Sequence, residues 1–402
     1  MRLLCIHQNF PGQFRDLAPA LVERGHELRA ISNSQRSSDP RIPIRRYALP
    51  KPERSGIHGL TAEVDEWIRR SELVAREAEA LRLEEGWAPD VILAHPGWGE
   101  SLLLKEIFPS SPLVLWPELW LGPEHMGSSG APLTLEQRHY LRTKNGLLDV
   151  ALAEAAAAVL PTAYQASTFP QRWQTKLRVI HEGIQAQLFE QHRIASLTLN
   201  EQVTLGPKAP VVTFISRNLE PMRGFPLFMR ALPQLQTLRA DVQVVIVGGD
   251  EVSYSAAPGE GGHWRQTMLK ELEGKIDLSR IHFFGRIPHP ELVKLYRRSD
   301  LHVYLSGAFV LSWSLTEVLA CSTPVLARAN PMLAELIRPG VNGTLWEGAP
   351  GGLGKEIARL LEDPEQLHRW GRNARDHLLP IYHHKQSADQ LELLLEELSS
   401  TF

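Results

Sequence analysis

Two arginines, Arg217 and Arg223, flank a short loop in the stretch FISRNLEPMRGFPLFMRAL. The loop joins an apolar run, Val211 to Ile215, to a helical pattern opening at Phe225, and Gly224 closes it. Guanidinium groups beside a helix N-terminus suit a diphosphate, whose oxygens accept paired hydrogen bonds. Two surface arginines in a strand-to-helix loop satisfy the same local sequence. A second chemical candidate is SGAFVLSWSLTEVLACSTPVLAR, residues 306–328, which reads as loop, helix (Trp313 to Cys321) and buried strand. Ser312 or Ser314 can cap this helix and Pro324 ends it. Such a loop aims backbone N–H groups and a positive helix end at the open edge of a parallel sheet, where phosphate binds. One acid, Glu317, sits a turn inside this apolar helix, and burying it is costly without a partner. Nearer the N-terminus, His95 closes the strand pattern PDVILAH just before Pro96 and Gly97, a position that fits a structural histidine and a ligand contact equally.

The elements that must position these residues alternate between strand and helix. Arg2 to His7 is an apolar strand followed by the turn Phe10, Pro11, Gly12 and a helical pattern from Gln13 to Glu23, the opening unit of a doubly wound sheet. Strands Glu27 to Ser32, Pro89 to His95 and Leu113 to Pro117 follow, with a long helix from Thr61 to Glu85 and a glycine-rich, mobile segment from Gly122 to Ala131. Alternation stops between Gln191 and Lys208 and resumes at Val211 with five strands and five helices to Ile337, then terminal helices. The expected division is an N-terminal Rossmann-like domain (1–190), a linker (191–208), a second Rossmann-like domain (209–380) and a last helix (381–402) available to pack back on the first domain. Domains of this kind bind ligands in a cleft between them.

Composition narrows the partners. The chain is 402 residues long, 43% hydrophobic and 22% charged with a formal net charge of -3, so no basic field exists to hold nucleic acid. No apolar run reaches membrane-spanning length, and Met1 leads straight into a strand, which points to the cytoplasm. The segment from Ser34 to Pro52, with Arg41, Arg45, Arg46 and Lys51, allows at most peripheral contact with acidic lipid and reads better as an edge strand with solvated arginines. Cys5 and Cys321 both fall within buried elements, so no disulfide framework is expected.

Taken together, an Arg, a gap and a basic residue before Gly at the opening of the second domain, and a later strand, loop and helix carrying Glu317, resemble the retaining glycosyltransferases of family 4 with the GT-B fold. FPGQFRDLAPAL, IHEGI, VIVGGDEVSYS and FFGRIPHPELVKLYRRSDLHVYLS extend the resemblance, in the family's order, over most of the chain. It implies an α/β, GT-B architecture of two Rossmann-like domains facing across a cleft. The first would bind the acceptor and the second a UDP- or GDP-linked sugar. Arg217 and Arg223 would hold the donor diphosphate, Arg223 standing where the family usually has Lys. Glu317 would accept hydrogen bonds from the ribose hydroxyls. Backbone at Ser314 and Leu315 would face the phosphates, and Arg286 and Ile287 would flank the base. Gly12 would let the first loop approach the donor, although a tight turn needs the same residue. His95 would contact the transferred sugar, while Glu118 and Glu182, which end first-domain strands, would face the cleft or water.

The sequence departs from the family at Phe309, eight positions before Glu317, where a carboxylate toward the transferred sugar is expected. Ser322 also stands in place of a turn glycine. No Asp-x-Asp pair occurs, so metal-independent hexosyl transfer without a cofactor is expected, the arginine pair and a helix end stabilising the leaving diphosphate. The acceptor class, whether saccharide, lipid, protein or small molecule, has no signature. Phe309 also admits a catalytically impaired subunit that partners another glycosyltransferase, and the architecture admits a nucleotide-sugar epimerase.

Overall fold

The computed structural model describes residues 1–36, 38–51, 56–126, 132–189, 192–201, 203–259, 261–348 and 351–401. Two compact units divide the chain, Met1–Ile184 with Tyr382–Phe402, and Gln185–Ile381.

In the first unit the strands are β1 (Arg2–Ile6), β2 (Glu27–Ser32), β3 (Ile44–Arg46), β4 (Val91–Ala94), β5 (Leu113–Leu115), β6 (Ala157–Leu160) and β7 (Leu177–Val179). They form one parallel sheet in the order β3-β2-β1-β4-β5-β6-β7. Helices α1 (Leu17–Glu23), α2 (Gly59–Glu84), α3 (Leu104–Ile107), α4 (Leu135–Glu154) and α5 (Ala163–Ser167) connect them. Because both faces are covered, the strands read as continuous apolar runs, and β1, β4, β5 and β6 are buried almost throughout. The order reverses between β1 and β4, the switch point outside which open sheets of this kind bind ligands.

In the second unit a two-stranded antiparallel ladder, β8 (Leu197–Leu199) with β9 (Val203–Leu205), lies in the region read from sequence as a linker. A second parallel sheet follows, of β10 (Val211–Asn218), β11 (Gln243–Gly249), β12 (Ile281–Phe284), β13 (Leu301–Tyr304), β14 (Val325–Arg328) and β15 (Thr344–Trp346). Its order is β12-β11-β10-β13-β14-β15, which puts the switch point between β10 and β13. Helices α6 (Phe225–Leu238), α7 (Trp264–Glu271), α8 (His289–Arg298), α9 (Trp313–Ala320), α10 (Leu353–Leu360) and α11 (Pro364–Tyr382) complete it. The last helix, α12 (His384–Thr401), belongs to the first unit. There Ala388, Leu391, Leu394 and Leu395 join the core formed by Leu17, Ala18 and Leu21 of α1, and Arg24 pairs with Asp389 and Glu392.

Three differences from the sequence reading have physical causes. Helix α4 was not apparent because only Leu141, Leu148, Ala151 and Leu152 of its 20 residues are buried, too sparse a stripe to read as periodic. Its start does carry a signal, since Thr134 and Gln137 form a reciprocal capping box. In the basic segment, β3 is the edge strand, and Arg45 is engaged by Glu77, Glu84 and Glu85 rather than solvated. Ser312 occupies the N-cap position of α9 but does not cap it through its side chain, which instead meets Ser314 Oγ at 2.7 Å. Of the glycine-rich segment from Gly122 to Ala131, residues 127–131 lie outside the described residues. No helix among the described residues is long and apolar enough to cross a membrane.

Candidate active site

At the switch point of the second sheet, the register of β10 breaks between Ile215 and Asn218, turning Arg217 to an exposed position while Asn218 is buried. The following turn, Pro221–Arg223, ends at Gly224 with φ 79, and α6 begins at once. Only glycine fits here, because a Cβ on Gly224 would lie 2.3 Å from Leu305 Cβ at the end of β13. The loops after β10 and β13 are thereby pressed together, and Gly307 N–H donates to Met222 O at 3.3 Å. Arg223 is partly buried, and its Nε has no hydrogen-bond partner among the described residues. Its guanidinium carbon lies 5.2 Å from the centre of the Tyr254 ring.

Glu220, 1% exposed, is a residue the sequence reading missed. Its Oε2 accepts backbone N–H groups of Ser253, Tyr254 and Ser255 at 3.0, 3.0 and 2.9 Å. Three donors converging on one carboxylate oxygen tie the loop after β11 to the loop after β10. Ser255 Oγ accepts from Met222 N–H at 3.0 Å, and Asn218 Nδ2 donates to Ser253 Oγ at 2.7 Å. The arginine loop is therefore a braced unit of three strand ends.

Glu317 is 4% exposed and meets His289 Nε2, on α8, at 3.1 Å. A histidine is thus one partner of this buried acid, and close to half of that imidazole is exposed. Leu315 N–H donates to Ser312 O at 3.1 Å within the first turn of α9, and the Leu315 side chain is fully buried, which keeps it from any ligand. Arg286 is exposed and paired with Glu251 Oε2 at 2.7 Å and Asn218 Oδ1 at 3.1 Å, while Ile287 is partly buried. Phe309 lies beside Tyr254, ring centres 5.0 Å apart and inclined by 62°.

The first unit carries its polar residues at the ends of β1, β4 and β7. Three histidines repeat one device: each Nδ1 accepts the backbone N–H of the second residue on. The pairs are His7 with Asn9 (2.9 Å), His95 with Gly97 (3.1 Å) and His181 with Gly183 (2.9 Å). An accepting Nδ1 leaves the hydrogen on Nε2, so each neutral ring is a donor at Nε2. His7 Nε2 donates to Gln13 Oε1 at 2.5 Å, and Gln13 Nε2 donates to Glu118 Oε1 at 2.9 Å. The same Glu118 oxygen is 3.8 Å from His95 Nε2, which is buried without a hydrogen-bond partner among the described residues. His95 stacks on Trp98 at 4.3 Å, with His7 edge-on to both. Gly12 is needed by this cluster, since a Cβ there would lie 2.4 Å from the His7 ring. Burial, aided by His95, drives the His7 pKa down to about 3.

Glu182 is buried beside His181, its Oε2 3.3 Å from His181 Nε2. Burial above all, with the charges of Glu118 and Asp16, raises its carboxyl to about 7, while burial lowers His181 to about 3. Gly12, His95 and Glu118 are thus gathered around His7 and Gln13. Arg217, Arg223, Ser314, Leu315, Glu317 and Phe309 lie on or next to the loops that follow β10 and β13. His7, Gln13, Glu220 and His289 went unread. For His7 the one signal was the recurrence of His two residues before Asn or Gly at strand ends, and the other three carried none.

Comparison with known proteins identifies the family and the fold. The family described as Glycosyl transferase family 4 group matches residues 24–189, and that described as Glycosyl transferases group 1 matches residues 198–377. Both sheets have their counterparts in solved structures. HepE of Anabaena in complex with UDP-glucose superposes with a TM-score of 0.71 at 19% identity, over 99% of this chain and 100% of that one. Sucrose-phosphate synthase of Thermosynechococcus elongatus gives 0.77 at 17% identity, over 100% of both chains. The fold is GT-B, and the chain is a glycosyltransferase of the family 4 type. Among sequence relatives, D-inositol 3-phosphate glycosyltransferase of Segniliparus rotundus is 24% identical over 379 residues, 89% of this chain and 78% of the relative. D-inositol 3-phosphate glycosyltransferase 2 of Catenulispora acidiphila is 30% identical over 183 residues, 44% of this chain and only 41% of that protein's length.

Proposed function

We propose that the protein transfers a hexosyl group from a UDP-linked sugar to a hydroxyl acceptor, with retention of configuration and without a metal ion. The observation that carries this reading is Arg223, held on a braced loop beside α6 with a buried, unpartnered Nε. A fixed guanidinium at the switch point of a parallel sheet is placed for a diphosphate. Solved neighbours bound to UDP-glucose and to UDP support the choice of nucleotide.

In this reading Arg223 and Arg217 offset the negative charge that grows on the departing diphosphate, with the positive end of α9 adding to the effect. Glu317 exchanges His289 for the ribose hydroxyls. His95, fixed as an Nε2 donor, binds a hydroxyl of the transferred sugar and does not act as its base. The acceptor hydroxyl loses its proton to the leaving phosphate, so no protein nucleophile and no cofactor are required. The acceptor to test first is an inositol phosphate, the substrate named for the relatives. A reducing compartment such as the cytoplasm suits the two free, buried thiols, Cys5 and Cys321.

A second reading, a nucleotide-binding subunit without turnover, is favoured by Phe309, whose aromatic ring packs on Tyr254 where a carboxylate was expected. Titration calorimetry with UDP, and transfer assays over a donor panel with and without chelator, separate the readings. Arg223→Ala and Glu317→Ala are each expected to weaken UDP binding by more than about tenfold. Unchanged affinity in both variants removes the site assignment. UDP binding with no turnover on any donor supports the subunit, and donor conversion without acceptor supports an epimerase.

A further inference from the structure

The loops that follow β10, β11 and β13 carry an aromatic pair that the core does not use. Tyr254 is 46% exposed and Phe309 half-buried, and neither belongs to the hydrophobic cluster of the second unit. Their rings meet edge to face at 5.0 Å, and the Arg223 guanidinium caps the Tyr254 ring at 5.2 Å. The arrangement is built rather than incidental. Glu220 clamps residues 253–255 through three backbone N–H groups, Gly307 N–H holds Met222 O, and Gly224 seats the arginine loop against Leu305.

We propose that Tyr254 and Phe309 form the platform on which the donor's sugar ring rests by its C–H face. This deepens the donor reading above and rests on it. A pyranose carries its hydroxyls around the rim and apolar C–H bonds on its faces, so an aromatic surface takes the ring while its hydroxyls keep other partners. The choice of the sugar over the nucleobase follows from Arg223. The arginine touches the platform directly, so if it binds the diphosphate, the group next to the platform is the one bonded to the terminal phosphate through a single oxygen. The base is separated from that phosphate by the ribose and a second phosphate. Phe309 therefore selects donors by ring stacking where a carboxylate would select by hydroxyl count, and the class taken is a hexopyranose with an unobstructed C–H face.

The test is titration calorimetry of UDP and of UDP-glucose, UDP-galactose and UDP-N-acetylglucosamine. The variants are Tyr254→Ala, Phe309→Leu, which keeps apolar volume without a ring, and Phe309→Tyr, which keeps the ring. For the donor the wild type binds most tightly, Tyr254→Ala and Phe309→Leu are expected to lose about five- to tenfold, the scale of an aromatic contact, while Phe309→Tyr stays within about twofold. The loss is confined to the sugar-bearing ligand. Equal losses for UDP and the UDP-sugar, or no loss in either, overturn the platform while leaving the donor reading intact. A wild type with affinity for none of the four ligands overturns the donor reading, and the platform with it. Thermal unfolding of each variant establishes that it is folded.

Discussion

Substituting Glu182→Gln tests the electrostatics of the first unit in a way that does not depend on the substrate. The folded carboxyl is raised from 4.5 to about 7, chiefly by burial and further by Glu118 and Asp16. Between those two values the folded chain holds a proton that the unfolded chain has released. The stability belonging to this site is therefore fully present below 4.5 and lost as the pH rises through about 7. Complete ionisation of the buried group corresponds to about 3 kcal/mol. Glutamine keeps the shape and an acceptor oxygen near His181 Nε2, but it carries no charge at any pH. The variant should match the wild type near pH 4.5, the unperturbed value, and exceed it in the alkaline range. For a unit of this size the gain at about pH 8 is about 6–12 °C in Tm. His7, pushed down to about 3, titrates in wild type and variant alike and cancels in the difference. Calorimetric scans at several pH values give the measurement. A Tm difference that does not change with pH, or a variant less stable than wild type in the alkaline range, refutes the argument.

Two further predictions concern the second unit. Ser322 holds φ 57, a left-handed conformation unfavourable for a residue with a side chain, and its Oγ is buried without a hydrogen-bond partner among the described residues. Ser322→Gly is expected to stabilise the protein by about 1 kcal/mol in denaturant titration. Glu220→Ala removes the acceptor shared by three backbone N–H groups, so it should destabilise by about 2 kcal/mol or more. Hydrogen exchange should then accelerate at residues 253–255 and not in α10 or α11, and uniform acceleration would count against the clamp.

Much of the fold was legible in the chain. Strands buried on both faces are apolar runs, and β1, β4, β10, β11, β12 and β13 are each followed by a glycine-bearing turn and a helix, so these six could be read locally. Arg223, Gly224 and Glu317 were legible for the same reason, since each belongs to one strand-loop-helix unit whose geometry its own residues dictate. Strand order was not legible, because the residues that pair β1 with β4 lie far apart and nothing local says which strands become neighbours. The site's internal partnerships follow from that order. Gln13 meets Glu118 only because the sheet brings the ends of β1 and β5 to one edge, with β4 between them. Glu220 finds residues 253–255 only because β10 lies against β11. The sequence by itself determined two α/β units and which loops carry charge. Tertiary structure alone decided which charges are buried, which donors are left open, and that an aromatic pair stands beside Arg223, because burial and pairing are properties of neighbours that the chain supplies from distant positions.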